Sequence, residues 1–207
     1  MIVTKIEELD KKRVRIYIDD EFAFVIYKGE LRLYNLEENE PVDKESYCQL
    51  VSDILPKRAK LRCMNLLKSR TYTEKQLRDK LKQGEYAEIL IDEALEYVKS
   101  YGYLDDRRYC EDFIEYNRES KSRKRMEQDL LKKGIDKNII YEVFKKMEEN
   151  GNEPDEYLMA KNLLRKKKYD ANTASIEEKR RLSAFLYRKG FGADTIRRVL
   201  LLDITSI

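Results

Sequence analysis

Lysine and arginine gather densely at two points of the chain. Lys121, Arg123, Lys124 and Arg125 fall within five positions, and Arg165-Lys166-Lys167-Lys168 is unbroken. Further cations stand at Lys75, Arg78 and Lys82, at Lys132 and Lys133, and at Arg180, Arg181, Arg188 and Lys189. Groups of this kind neutralise phosphates or meet an acidic protein groove, so their chemistry is binding rather than bond-making. With 0 His in 207 residues, Ser-His-Asp and Cys-His catalysis are excluded and the commonest zinc ligand is absent. No GxxxxGK, GxGxxG or HExxH motif occurs. Cys48, Cys63 and Cys110 are too widely spaced for a CxxC metal or redox pair. They read as small buried hydrophobes in a reducing compartment. The acid pairs Asp105-Asp106 and Glu148-Glu149 could hold Mg²⁺, but helix caps or solvated helix ends account for both. No catalytic residue, cofactor or metal is expected, and the chain reads as a non-enzyme.

Charged residues make up 40% of the chain and apolar residues 42%, enough for a core. Residues 1–56 carry 8 basic and 13 acidic side chains, whereas the remainder carries 35 and 27. That asymmetry predicts a small acidic N-terminal part, 1–56, and a larger basic part. The opening Met1-Ile2-Val3-Thr4-Lys5 lacks the basic-then-apolar order of a signal peptide. No apolar run approaches the ~18 residues of a membrane span. A soluble, cytoplasmic protein without membrane partners is expected.

The elements that must position these cations are of two kinds. Ile2–Ile6, Arg13–Ile18 and Phe22–Tyr27 are β-branched and aromatic, and the first two alternate with polar residues. They predict a three-stranded meander with turns at Asp10-Lys11-Lys12 and Asp19-Asp20-Glu21. Leu31–Leu36 reads equally as strand or helix. Asp43 caps a helix carrying Tyr47, Leu50, Val51, Ile54 and Leu55, which Pro56 interrupts or kinks.

Beyond Pro56 the chain repeats itself. Met126, Leu130 and Gly134 stand at steps of four, as do Leu182, Leu186 and Gly190. The apolar positions that follow also match: Ile135, Ile140, Val143 and Phe144 against Phe191, Ile196, Val199 and Leu200. An earlier copy, Leu77, Leu81, Gly84, Tyr86, Ile91, Ala94 and Leu95, fits with one residue deleted before its glycine and one inserted after it. Each unit has room for three helices, which gives repeats over 57–104, 105–150 and 151–207. Thr73 with Gln76 and Ser175 with Glu178 have capping-box spacing. Gly84, Gly134 and Gly190 can close helices in the left-handed conformation. Ile135 with Ile140, Phe191 with Ile196, and Tyr86 with Ile91 have the spacing of hydrophobic staples.

Gly102-Tyr103-Leu104-Asp105-Asp106, followed by Tyr109, makes a corner in which glycine ends one helix and Asp105 caps the next. This corner resembles one found in the RecX regulatory proteins. Thr73–Leu81, Arg125–Ile135 and Phe185–Phe191 are similar to that family's first, second and third repeat helices, in the same order. The resemblance covers about residues 57–202, and less specifically 1–56. Lys121-Ser122 departs from the family's aromatic-glycine pair and puts the conformation of that loop in question. The resemblance implies a mainly α protein: three tandem three-helix repeats in an elongated, curved array, with a small N-terminal β-meander plus helix. It also implies a non-catalytic regulator that binds the RecA–single-stranded DNA filament and lowers its ATPase and strand-exchange activity. Homologous recombination, DNA repair and the SOS response would be modulated as a result.

The residues themselves place the basic surface. The middle segments of the repeats are basic: 74–83 has 4 basic and 2 acidic residues, 122–133 has 5 and 2, and 175–189 has 5 and 2. The last segments are not, with 1 and 4 over 86–101 and 3 and 3 over 137–149. A helix-turn-helix reader needs a polar-basic second helix, so sequence-specific duplex reading is disfavoured. Stacked repeats would align the middle helices into a basic ridge, with single-stranded or duplex DNA as a further partner. The alternative is a general single-stranded nucleic-acid-binding module. Nothing in three repeats requires a dimer, so a monomer is expected.

Overall fold

The computed structural model describes residues 1–151 and 155–200, so the expected tail of the third repeat, 201–207, lies outside the described residues. The chain divides into two units, Met1–Asp105 and Asp106 onward.

The first unit opens with the antiparallel strands β1 (Val3–Glu8), β2 (Arg13–Ile18) and β3 (Glu21–Tyr27), in that spatial order. Asp19 and Asp20 both take positive φ, 49° and 69°, as a two-residue hairpin turn twisted with its strands demands. Asp10 closes the other turn by accepting the Lys12 and Arg13 N–H groups. Alternation then does the sorting: Val14, Ile16 and Ile18 are buried, with Phe24 and Ile26 beside them. The undecided Leu31–Leu36 segment forms a short helix, α1 (Glu30–Leu33), whose exposed Leu33 shows why its pattern was uninformative.

Asp43 caps α2 (Lys44–Gln49), accepting from the Ser46 N–H at 2.9 Å. Pro56 does not stop the helix. A π turn at Leu50–Ile54, in which the Leu55 N–H reaches the Leu50 carbonyl, leads directly into α3 (Leu55–Ser69). The wider turn sits just where the proline ring would crowd a regular one, and Pro56 occupies a first-turn position in α3. Cys48 lies exposed on α2, contrary to the expectation of a buried thiol. Cys63 and Cys110 are fully buried, and burial pushes their thiols up to about 11 and about 12, so they stay neutral packing groups.

α3 packs with α4 (Glu74–Lys82) and α5 (Glu88–Ser100). The sheet and these helices share one core, in which Ile16, Ile26 and Leu36 lie with Leu50, Ala59, Leu77 and Ile91. Thr73 and Gln76 complete the reciprocal capping box of α4.

The turn after α4 corrects one expectation. Gly84 does not take the left-handed conformation; Glu85 does, at φ 59°. Glu85 is therefore the counterpart of Gly134 (φ 89°) and Gly190 (φ 92°). With that register all three repeats align without a gap, from Leu77, Leu81, Glu85 and Tyr86 to Ile91. Gly84 is small for another reason: a β-carbon there would lie 2.9 Å from the Tyr86 ring. A glutamate in left-handed backbone costs about 1–2 kcal/mol relative to glycine. Arg15 of β2 offsets this by a two-pronged ion pair, Nε to Oε2 at 2.7 Å and Nη2 to Oε1 at 2.6 Å. That hydrogen bonding holds the Glu85 carboxyl below its ordinary 4.5. The ionised form thus stabilises the fold above the unfolded value, and the gain disappears as pH falls through the depressed folded value. Glu85→Gln is expected to lower the melting temperature at pH 7, with the gap from the natural protein closing as pH falls from the ordinary carboxylate value through the depressed folded one. A gap unchanged across that range would show the ion pair contributes nothing.

The second unit holds α6 (Asp106–Asn117), α7 (Arg123–Lys132) and α8 (Lys137–Glu149), then α9 (Glu156–Lys166), α10 (Ile176–Arg188) and α11 (Ala193–Leu200). Each trio has its own core. One holds Cys110, Ile114, Met126, Leu130 and Phe144; the other holds Met159, Leu164, Leu186, Phe191 and Leu200. The staple residues Ile135, Ile140, Phe191 and Ile196 are all buried. Burial of each is worth about 1.5–3 kcal/mol, more than the roughly 0.5–2 kcal/mol of a cap such as Asp136, which accepts from Asn138. Ser175 accepts from the Glu178 N–H but, unlike Thr73, gets no return bond.

Candidate anion-binding seam

The expected basic residues divide by their partners. On α4, Arg78 is held by Glu88 at 2.5 Å, Asp92 at 2.7 Å and Glu74 at 3.7 Å, and Lys82 pairs with Glu88 at 3.1 Å. The acidic α5 thus neutralises Arg78 and Lys82, two of the four cations of α4, leaving exposed Lys75, and Lys80, without a carboxylate partner among the described residues. Charge counting along one helix missed this because the answering acids are 10 and 14 positions downstream of Arg78.

In the second unit the two trios meet at a polar seam. Ser122, fully buried, caps α7 by accepting the Arg125 N–H at 3.2 Å and donates its hydroxyl to the Lys189 carbonyl at 3.3 Å. That settles the loop at Lys121-Ser122: serine caps the helix and docks it on the end of α10. Gly190 permits the approach, since a β-carbon there would meet Ser122 Oγ and lie 2.7 Å from Arg125 Cβ. Asp129, largely buried, gathers Lys121 at 3.0 Å and Arg125 at 3.2 Å.

One concavity opens on this seam, and a second, between α9 and α10, adjoins it. One, of about 330 Å³, is lined by Lys121, Arg125, Asp129, Phe185, Arg188 and Lys189. The other, of about 460 Å³, is lined by Lys166, Lys167, Glu178, Arg181, Leu182, Phe185 and Arg188. Phe185 and Arg188 belong to both. Lys167 and Lys189 stand over the Phe185 ring at 4.9 and 5.9 Å from its centre. Seven cations against two carboxylates leave a net positive hollow with an aromatic centre, which suits a polyanion or an acidic protein segment. Both dense basic clusters of the sequence contribute to it. Phe185 was not singled out there; its position one residue before the core Leu186 gave no signal.

Other expected residues fall elsewhere. Arg123 turns inward to Glu127 at 3.0 Å and to Glu148, with its guanidinium 4.7 Å from the Phe144 ring centre, so it braces repeat 2. Lys133 lies over Tyr109 and Phe113. Lys124, Lys132 and Arg180 are exposed on α7 and α10 without carboxylate partners among the described residues. Arg165–Lys168 close α9, the first helix of its trio, where cations favour the C-terminal carbonyls. Of these four, Lys166 and Lys167 line the hollow. The acid pair Glu148-Glu149 is engaged by Arg123 and Lys145. Among the described residues no helix is long and apolar enough to cross a membrane.

Comparison with known proteins adds the following. Four family profiles match in chain order: "Regulatory protein RecX N-terminal domain" over residues 1–43, and "RecX" first, second and third three-helix domains over 59–97, 105–143 and 155–200. A regulatory protein RecX of Caldanaerobacter subterraneus is 32% identical over 202 residues, covering 97% of this chain and 98% of its own. One from Clostridium acetobutylicum is 29% identical, covering 96% and 94%. In fold, the chain is similar to a crystal structure of regulatory protein RecX, at TM-score 0.60, 21% identity and coverage of 96% and 98%. It also resembles RecX from Lactobacillus salivarius, at TM-score 0.56, 21% identity and coverage of 72% and 96%.

Proposed function

The chain belongs to the RecX family of regulatory proteins, and from that membership we propose that it binds the RecA–single-stranded DNA filament and inhibits recombinase and ATPase activity. The observation that carries the reading is the seam between α7 and α10. It offers a positive hollow where a filament presents phosphate and acidic side chains. Hydrogen bonds of the buried Ser122 hydroxyl to the Lys189 carbonyl and from the Arg125 N–H preorganise it, so little ordering is needed on docking. The protein acts as a binding regulator in the cytoplasm and works as a monomer.

The test is RecA's DNA-dependent ATP hydrolysis measured against added protein. Inhibition at stoichiometric or lower ratios is expected; full hydrolysis at saturating protein would overturn the proposal. A second reading, a general single-stranded nucleic-acid-binding module, draws on Phe185 between two lysines, an arrangement on which a base could stack. It requires salt-steep binding to bare single strands. Retention of RecA filaments at a salt concentration that abolishes binding to bare DNA would set it aside.

A further inference from the structure

A second cleft, of about 600 Å³, lies within the first unit, remote in sequence from the basic seam. Ala23, Phe24 and Val25 all line it. A bulge leaves Ala23 without a counterpart on β2, but Phe24 and Val25 beyond it keep regular register and point to opposite faces, so a space bordered by both lies along the edge of β3 rather than over one face. β3 is an outer strand of the sheet. No helix or loop backbone among the described residues bonds to Ala23–Val25, and beyond them the Tyr27 N–H is taken by the Glu30 carboxylate. An outer strand of this kind presents unpaired N–H and C=O groups on one side.

The opposite walls come from α2, α3 and the turn at Glu85. They add Tyr47, Tyr86 and Arg62, with Tyr27 from the strand itself. None of the three tyrosine hydroxyls has a hydrogen-bond partner among the described residues, and burial raises the Tyr86 phenol so that it stays a donor. The acids of the cleft are already spent: Asp10 on Arg13, Glu85 on Arg15. Lys12, Arg62 and Lys80 have no carboxylate partner among the described residues. What remains available is therefore a strand edge, three phenol donors and three positive charges.

We propose that this cleft binds an acidic peptide segment of a partner protein in extended form, as a fourth strand on β3, with its carboxylates met by Arg62, Lys12, Lys80 and the tyrosine hydroxyls. Edge pairing supplies sequence-independent affinity and the cationic rim selects for acid side chains. A mononucleotide, which would share the anionic chemistry, makes no use of the strand edge.

The test uses the full-length protein and a fluorescein-labelled peptide of about eight residues alternating glutamate with leucine, long enough for a strand. Saturable binding by fluorescence anisotropy is expected, together with at least a tenfold loss in Lys12→Glu/Arg62→Glu and no change in Lys161→Glu, a charge reversal on the exposed face of α9. A peptide with lysine in place of glutamate should not bind. Competition by the same peptide with alternate backbone amides N-methylated should fail, because those amides can no longer donate. Absence of binding, equal binding by a folded Lys12→Glu/Arg62→Glu protein, displacement of the peptide by ATP at a comparable concentration, or undiminished competition by the N-methylated peptide would each overturn the proposal.

Discussion

Gly190→Ala is expected to destabilise the second unit by about 2–5 kcal/mol. Two costs combine. The backbone at φ 92° is left-handed, which an alanine tolerates poorly. The new methyl would also press on Ser122 Oγ and on Arg125 Cβ at 2.7 Å, where a buried cap leaves no room to retreat. Gly102 provides the control, since it has φ 68° but nothing within 4 Å of an added β-carbon. Gly102→Ala should cost only the backbone share, about 1–2 kcal/mol. Chemical denaturation of both variants measures the difference. Equal losses would mean that the trios do not depend on the close approach at Ser122.

The second large effect is functional. Lys167→Glu/Arg188→Glu reverses two charges in the hollow, neither of which has a carboxylate partner among the described residues. The concentration giving half-inhibition of RecA should rise at least about tenfold, equivalent to about 1.4 kcal/mol of lost docking energy. The melting temperature should hardly move, because exposed charges contribute little to stability. Arg78→Glu should do the reverse. It sets a fourth carboxylate among Glu74, Glu88 and Asp92, lowering the melting point of the first unit while inhibition below that temperature persists. Were Arg78→Glu to abolish inhibition while the hollow's double variant retained it, the seam would not be the docking surface.

The sequence made local chemistry legible and left long-range chemistry hidden. Strand alternation in Arg13–Ile18, the box at Thr73 and the staples after Gly134 and Gly190 depend on residues within a few positions, and each recurs in the fold. Glycine as the mark of left-handed backbone places the first repeat's turn one residue too early, at Gly84. At Glu85 an arginine 70 positions upstream sustains that conformation in glutamate. Arg123 shows the same limit in the opposite sense: as part of a basic run it looked like surface, yet Glu148 and Phe144 draw it in. The seam itself joins Ser122 to Lys189, a pairing 67 positions apart that no periodicity announces.

The common interior of the sheet and the first helical trio bears on how this chain may be cut. Ile16 and Ile26 rest against the same apolar mass as Leu50, Ala59 and Leu77, so removing the first 56 residues would strip a greasy floor bare. A truncation made there to ask what the acidic leader does would report on aggregation instead. Scissors placed after Asp105 leave both fragments with their interiors closed, and a loss of activity in either could then be attributed to the surface it carries.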